Sequence, residues 1–215
     1  MYAAVSAKPN IVVLHGWGLS GFVTRYWCRR FAQAGFAPSP FSYPSRKRSL
    51  DHNVAELARY IESLGHDAPV HLVGHSLGGI MIMQCLATHR FNNLGRVVMV
   101  GTPFQGSAPA QKLKAMRFGP LLLGKTIVQW QGVHAKDLPP GLEVGTIAGT
   151  SPVGIGRMWS ALDIPHDGTV SVSETHVPFA TDRTVMKVTH SEMLISSAVT
   201  AQIVQFLQHG QFQNP

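Results

Sequence analysis

A chain of 215 residues, 45 % hydrophobic and 13 % charged, is long enough for one domain with a real core, spanning 1–215, and poor enough in surface charge to suit apolar ligands. Its formal charge of +7 opens nucleic acid, an anionic membrane surface or acidic substrates as partners. The basic residues are scattered, however: the only run is Arg46-Lys47-Arg48, and no aromatic–basic interleaving of an RNA-binding kind occurs, which argues against nucleic acid.

The start, "MYAAVSAKPNIVVLHGW", has no basic stretch leading into a long apolar run, so no signal peptide is expected and the cytoplasm is the expected location. No segment approaches the roughly 18 apolar residues of a membrane span. "NIVVLHG" (10–16) reads as a buried strand ended by glycine. "TRYWCRRFAQAG" (24–35) reads as a helix closed by Gly35, and "FAPSPFSY" (36–43) as a proline-punctuated strand and loop. The clearest helix is "SLDHNVAELARYIESLG" (49–65): Ser49 or Asp51 can cap it, Val54, Leu57, Ala58, Ile61 and Leu64 share one face, and Gly65 ends it. "PVHLVG" (69–74) is a strand, followed by a helix over about 77–90 that is apolar nearly all round. "RVVMVG" (96–101), "VGTIAG" (144–149) and "TVMKVT" (184–189) complete the strands, and a last helix covers about 192–208. Alternating strands and helices without in–out patterning predict an α/β fold, a mainly parallel sheet flanked by helices. Cys28 and Cys85 fall inside apolar helical patterns and read as buried free thiols.

One segment breaks the rhythm. Residues 105–143 are too long for one crossover, and five basic residues (Lys112, Lys114, Arg117, Lys125, Lys136) face two acidic ones (Asp137, Glu143) there. It reads as a helical insertion over one end of the sheet: two packing helices, or a cap bordering a substrate pocket.

Gly74-His75-Ser76-Leu77-Gly78 fits G-x-S-x-G between a predicted strand and a predicted helix. A turn that sharp forces the serine into a strained backbone, and side chains two residues before and after it would clash, hence glycine at both places. The strain pushes the hydroxyl clear, beside the free amides and partial positive charge of a helix N-terminus. His71 and His75 are four apart but on a strand, so they do not make a helical metal-binding pair, and no metal or cofactor motif is present. His15 and His75 read as ligands of backbone groups or orienters of loops.

With "HGWG" (15–18), "GHSLGG" (74–79), "GTPFQGS" (101–107), "HDGTVS" (166–171) and "THSEML" (189–194), the chain resembles the α/β-hydrolase superfamily, and within it the small lipase- and esterase-like members. The resemblance spans nearly the whole length. It implies a minimal version whose first strand matches the third of the full family sheet. It also implies Ser76 as nucleophile, His190 as base after the last strand, and a carboxylate between them in sequence, Asp167, with Asp163 and Asp182 as rivals. The oxyanion would be held by the amides of Leu77 and Trp17. Phe104, Met116, Trp130 and "GPLLLG" suggest an apolar acyl site for a lipid-like or medium-chain ester, with weak membrane-surface association through the basic insertion. The leading expectation is a serine carboxylic-ester hydrolase; the alternatives are an acyltransferase or thioesterase with the same triad, or a non-catalytic binding module on the same fold. Oligomeric state is not legible.

Overall fold

Segments such as 11–14 and 97–100 are apolar at every position and buried at every position, which is what a strand covered on both faces requires. The computed structural model describes residues 7–107, 110–111, 126, 132–152 and 162–213. In chain order it contains β1 (Asn10–Leu14), α1 (Arg25–Gln33), β2 (Ala37–Phe41), α2 (Leu50–Ser63), β3 (Val70–His75), α3 (Leu77–Thr88), β4 (Leu94–Val100), β5 (Val144–Gly149), β6 (Asp182–Met186) and α4 (Ser197–His209). Six strands pair in the order β2-β1-β3-β4-β5-β6, all parallel.

Two apolar layers sandwich the sheet. Val12, Leu14, Leu72, Val97 and Met99 pack under α2 and α3, through Val54, Leu57, Ile61, Ile80 and Met83 among others. Their strand neighbours Ile11, Val13, Val73, Val98 and Ile147 point the other way, onto Trp27 and Phe31 of α1 and Val199, Ile203 and Phe206 of α4. Successive strand side chains alternate faces, so each short apolar run serves both layers. The predicted apolar face of α2 is the buried one, and Ser49 caps it by accepting from the His52 amide. α3 is buried nearly all round because it lies between the sheet and α2.

The chain leaves β1 outward to β2, then returns across β1 to β3. Strand order therefore reverses between β1 and β3, and the loops leaving their carboxyl ends part in opposite directions. In open α/β sheets that reversal leaves a crevice for a ligand.

Three expectations shift. The last helix does not run from 192: a 3-10 turn (Glu192–Leu194) comes first, and Ser196 then caps α4 by accepting from the Val199 amide. The last strand sits earlier than 184–189, because the chain turns where the Val188 amide bonds the Met186 carbonyl. Cys28 is half-buried, whereas Cys85 is fully buried and its thiol pushed up to about 12 by desolvation. Most of the 105–143 insertion lies outside the described residues. Its helical Thr126 is buried, donates to the Arg48 carbonyl (3.0 Å) and accepts from Asn53 Nδ2 (3.1 Å), which ties the segment to the start of α2.

Candidate active site

β3 delivers Ser76 to the crevice in a conformation few residues adopt. Its φ is 53° and ψ −119°, and no other non-glycine among the described residues has positive φ. The surrounding glycines explain how the turn closes. A Cβ on Gly74 would lie 2.4 Å from the Gly79 amide nitrogen, and one on Gly78 would lie 2.7 Å from the Leu14 carbonyl oxygen. Those are backbone atoms, so nothing could swing aside. A third glycine, Gly79, lets Thr102 approach to 2.1 Å from where its Cβ would stand. Ser76 is the N-cap of α3, yet its side chain makes no capping bond. Its amide is held by the Val100 carbonyl at 2.8 Å.

An acid–base pair forms beside this elbow. His190 Nδ1 lies 2.7 Å from Asp167 Oδ2, with the imidazole 12 % exposed and the carboxylate 1 %. A buried carboxylate is costly unless hydrogen bonds replace its water. Asp167 Oδ1 accepts from the amides of Thr169 (2.9 Å) and Val170 (2.7 Å), so both oxygens are occupied. The Asp-Gly turn and the buried acid are thus one device. The backbone repeats the link, since the His190 amide donates to the Asp167 carbonyl at 2.9 Å. The rivals lie elsewhere: Asp163 accepts from Ser173 Oγ, and Asp182 from the Arg183 and Phe212 amides.

Contacts on two sides hold the His190 ring against residues of the elbow's surroundings, His75 and Gly101. It lies 4.6 Å, centroid to centroid, from the ring of His75, the residue before Ser76. It also packs on Gly101, where an added Cβ would stand 3.1 Å from Nδ1, and Gly101 follows the carbonyl that holds the Ser76 amide. His75 Nε2 is 3.0 Å from the His190 carbonyl. A carbonyl only accepts, so Nε2 carries the proton and Nδ1 is bare, buried without a partner. Burial, with His190 nearby, lowers His75 to about 3, which keeps it neutral. Trp27 clamps the same loop, its indole N–H donating to the Met193 carbonyl at 3.0 Å.

His15 is also a backbone ligand. The Gly16 carbonyl accepts from Nδ1–H (2.8 Å), Nε2 accepts from the Tyr43 amide (3.2 Å), and the two rings stack. Gly16 presses on the elbow: its Cβ would stand 3.3 Å from Ser76 Cβ. Gly16 therefore lies beside the serine, and Leu77 begins α3 directly after Ser76. Phe104 is buried, its ring edge-on to Phe179 at 5.6 Å; Met116 and Trp130 lie outside the described residues. Sequence reasoning missed the parts played by Gly101, by Gly149, whose Cβ would lie 2.8 Å from Asp167 Cβ, and by the Trp27 clamp. The glycines were visible in "VGTP" and "IAGT", but the groups they admit come from distant chain. Among the described residues no cluster of three or more His, Cys, Asp or Glu is placed to hold a metal, and no helix is long and apolar enough to cross a membrane.

Comparison with solved structures gives the same architecture. The chain is similar to a mature lipase of Bacillus licheniformis, with 21 % identity, TM-score 0.75, and 95 % of this chain and 92 % of that one covered. It is similar to an esterase of Exiguobacterium antarcticum at 14 % identity, TM-score 0.66, covering 95 % and 93 %. The RedJ thioesterase of Streptomyces coelicolor follows at 15 % identity, TM-score 0.63, covering 97 % and 95 %. No curated protein matches at the sequence level. The family model described as "Alpha/beta hydrolase family" matches residues 11–200, and the chain belongs to that family.

Proposed function

We propose that the protein is a serine carboxylic-ester hydrolase that works through an acyl-enzyme, with Ser76 as nucleophile, His190 as general base and Asp167 as the group that orients it. The observation that carries this reading is the 2.7 Å Asp167–His190 pair packed against an elbow whose serine does not cap its helix. With its proton held on Nδ1 by Asp167, His190 offers Nε2 as an acceptor. His190 Nε2 takes the Ser76 proton as Oγ attacks the ester carbonyl. The amides of Leu77 and Trp17 stabilise the oxyanion. Collapse of the tetrahedral intermediate breaks the C–O bond, and His190 returns the proton to the leaving alcohol. Water, deprotonated by His190, then attacks the acyl-enzyme, releasing the acid and restoring Ser76.

The proposed substrate is an apolar ester, which the buried aromatic Phe104 supports. Ser76→Ala is expected to lower turnover of a nitrophenyl ester by about a millionfold, as when a triad acts as a unit. A fluorophosphonate should add one covalent mass to the wild type and none to the variant. A Ser76→Ala enzyme keeping half its rate would end the proposal. Thioester substrates and alcohol acceptors, run beside the ester series, separate hydrolysis of esters from thioesterase or acyltransferase activity, since all share the acyl-enzyme.

A further inference from the structure

The chain's positive charge is not spread evenly. The first fifty residues hold Lys8, Arg25, Arg29, Arg30, Arg46, Lys47 and Arg48 and no Asp or Glu. The other eleven Lys and Arg are matched by the chain's 11 acidic residues, so the whole +7 arises in β1, α1, β2 and their loops. Among the described residues, the Lys and Arg that pair with carboxylates are Arg59 and Arg96, and none of these seven does. All seven are exposed.

Apolar side chains stand exposed among these cations, at the carboxyl end of the sheet. Phe22 is 70 % exposed, Leu19 40 % and Trp17 38 %. The Arg25 guanidinium lies over the Phe22 ring at 5.0 Å and that of Arg46 over Trp17 at 5.3 Å. The loop carrying them is fastened: the Gly18 amide donates to Ser45 Oγ (2.9 Å) and the Gly21 amide to Ser42 Oγ (3.1 Å). Gly16, at the base of the same loop, lies so near the elbow that a Cβ on it would stand 3.3 Å from Ser76 Cβ. The patch is therefore a fixed rim of the crevice.

We infer that this rim docks the protein on an anionic phospholipid surface, with Phe22 and Leu19 entering the acyl boundary and Arg25, Arg46 and Lys47 at the phosphates. Rings beside guanidinium groups match the layered polarity of a bilayer interface, and basic residues without acidic neighbours match its negative potential. A few apolar tips are too small an area for a stable protein partner. The inference concerns where the protein works and does not need Ser76 to be a nucleophile.

Co-sedimentation with phosphatidylcholine vesicles, with and without phosphatidylglycerol, tests it. Binding is expected only to the anionic vesicles, to weaken with salt, and to be the same for wild type and Ser76→Ala. Phe22→Ser should weaken it about tenfold, and Arg25→Gln or Lys47→Gln about fivefold each. Hydrolysis of a soluble ester should be unchanged in all three. Equal binding to neutral vesicles, no binding to either, or anionic binding that survives the Phe22→Ser/Arg25→Gln double variant would overturn it. So would retention on polyglutamate or heparin without vesicle binding, which would assign the patch to a soluble polyanion. Loss of esterase activity with vesicle binding intact would count against the hydrolase reading alone.

Discussion

Ser49, Ser76 and Ser196 each stand at a helix N-cap, and two of them give their hydroxyl to the helix. Ser49 and Ser196 have extended backbones and accept from the amide three residues on. Ser76, at φ 53°, is turned so that its oxygen makes no such bond. A backbone so placed costs about 1–3 kcal/mol, a cost that has no purpose if the residue merely begins a helix. Asp167 is equally committed. Its Oδ1 is taken by two amides, so only Oδ2 can hold His190. In Asp167→Asn those two amides keep the remaining oxygen where Oδ1 stood and turn the new NH₂ toward His190. Nδ1 must then accept, and the proton moves to Nε2, the nitrogen that should receive the serine's. Turnover should fall by about 10⁴-fold while thermal unfolding barely moves. A variant as active as wild type would show that Asp167 does not set the tautomer.

The elbow joins two elements by backbone contact. β3 and α3 meet at Gly74 and Gly79, and α3 meets the end of β1 at Gly78. Gly78→Ala would put a methyl 2.7 Å from one carbonyl oxygen and 2.9 Å from another. Stability should drop by about 3 kcal/mol, the upper end for overpacking, read as the urea midpoint; an unchanged midpoint would mean that the elbow can open. This explains why the motif was legible in the sequence: the constraint is local and steric, written at fixed spacing. The choice of Asp167 over Asp163 and Asp182 rested on resemblance, because which carboxylate meets His190 depends on loops converging from across the chain. The break before α4 was missed for a similar reason: apolar spacing continues through Met193 and Leu194, which are buried whether or not they belong to the helix.

At the scale of the molecule, unbroken apolar strands made a parallel, two-layered sheet legible, because only burial on both faces selects such strands. The same burial gives a pH dependence that no motif foretells. His71 and His75 are lowered to about 4 and about 3, chiefly by desolvation, and burial lowers His15 as well. His71 Nδ1 accepts from the Arg96 amide, so protonation would break that bond. Unfolded histidines bind a proton near pH 6.5, so between that value and the folded ones the unfolded chain holds more protons. Stability is then full above about pH 6.5 and falls on acidification by about 1.4 kcal/mol per unit for each of His71 and His75. Urea midpoints at neutral and mildly acidic pH should differ accordingly, and a flat profile would mean that the rings are solvated. The glycine-lined corner around Ser76 carries a last consequence. At Gly74 and Gly78 it is filled by main chain, so those two positions have no room for any side chain. Sequence change must therefore be recorded away from these two positions, and a saturation scan should find them among the least permissive in the protein.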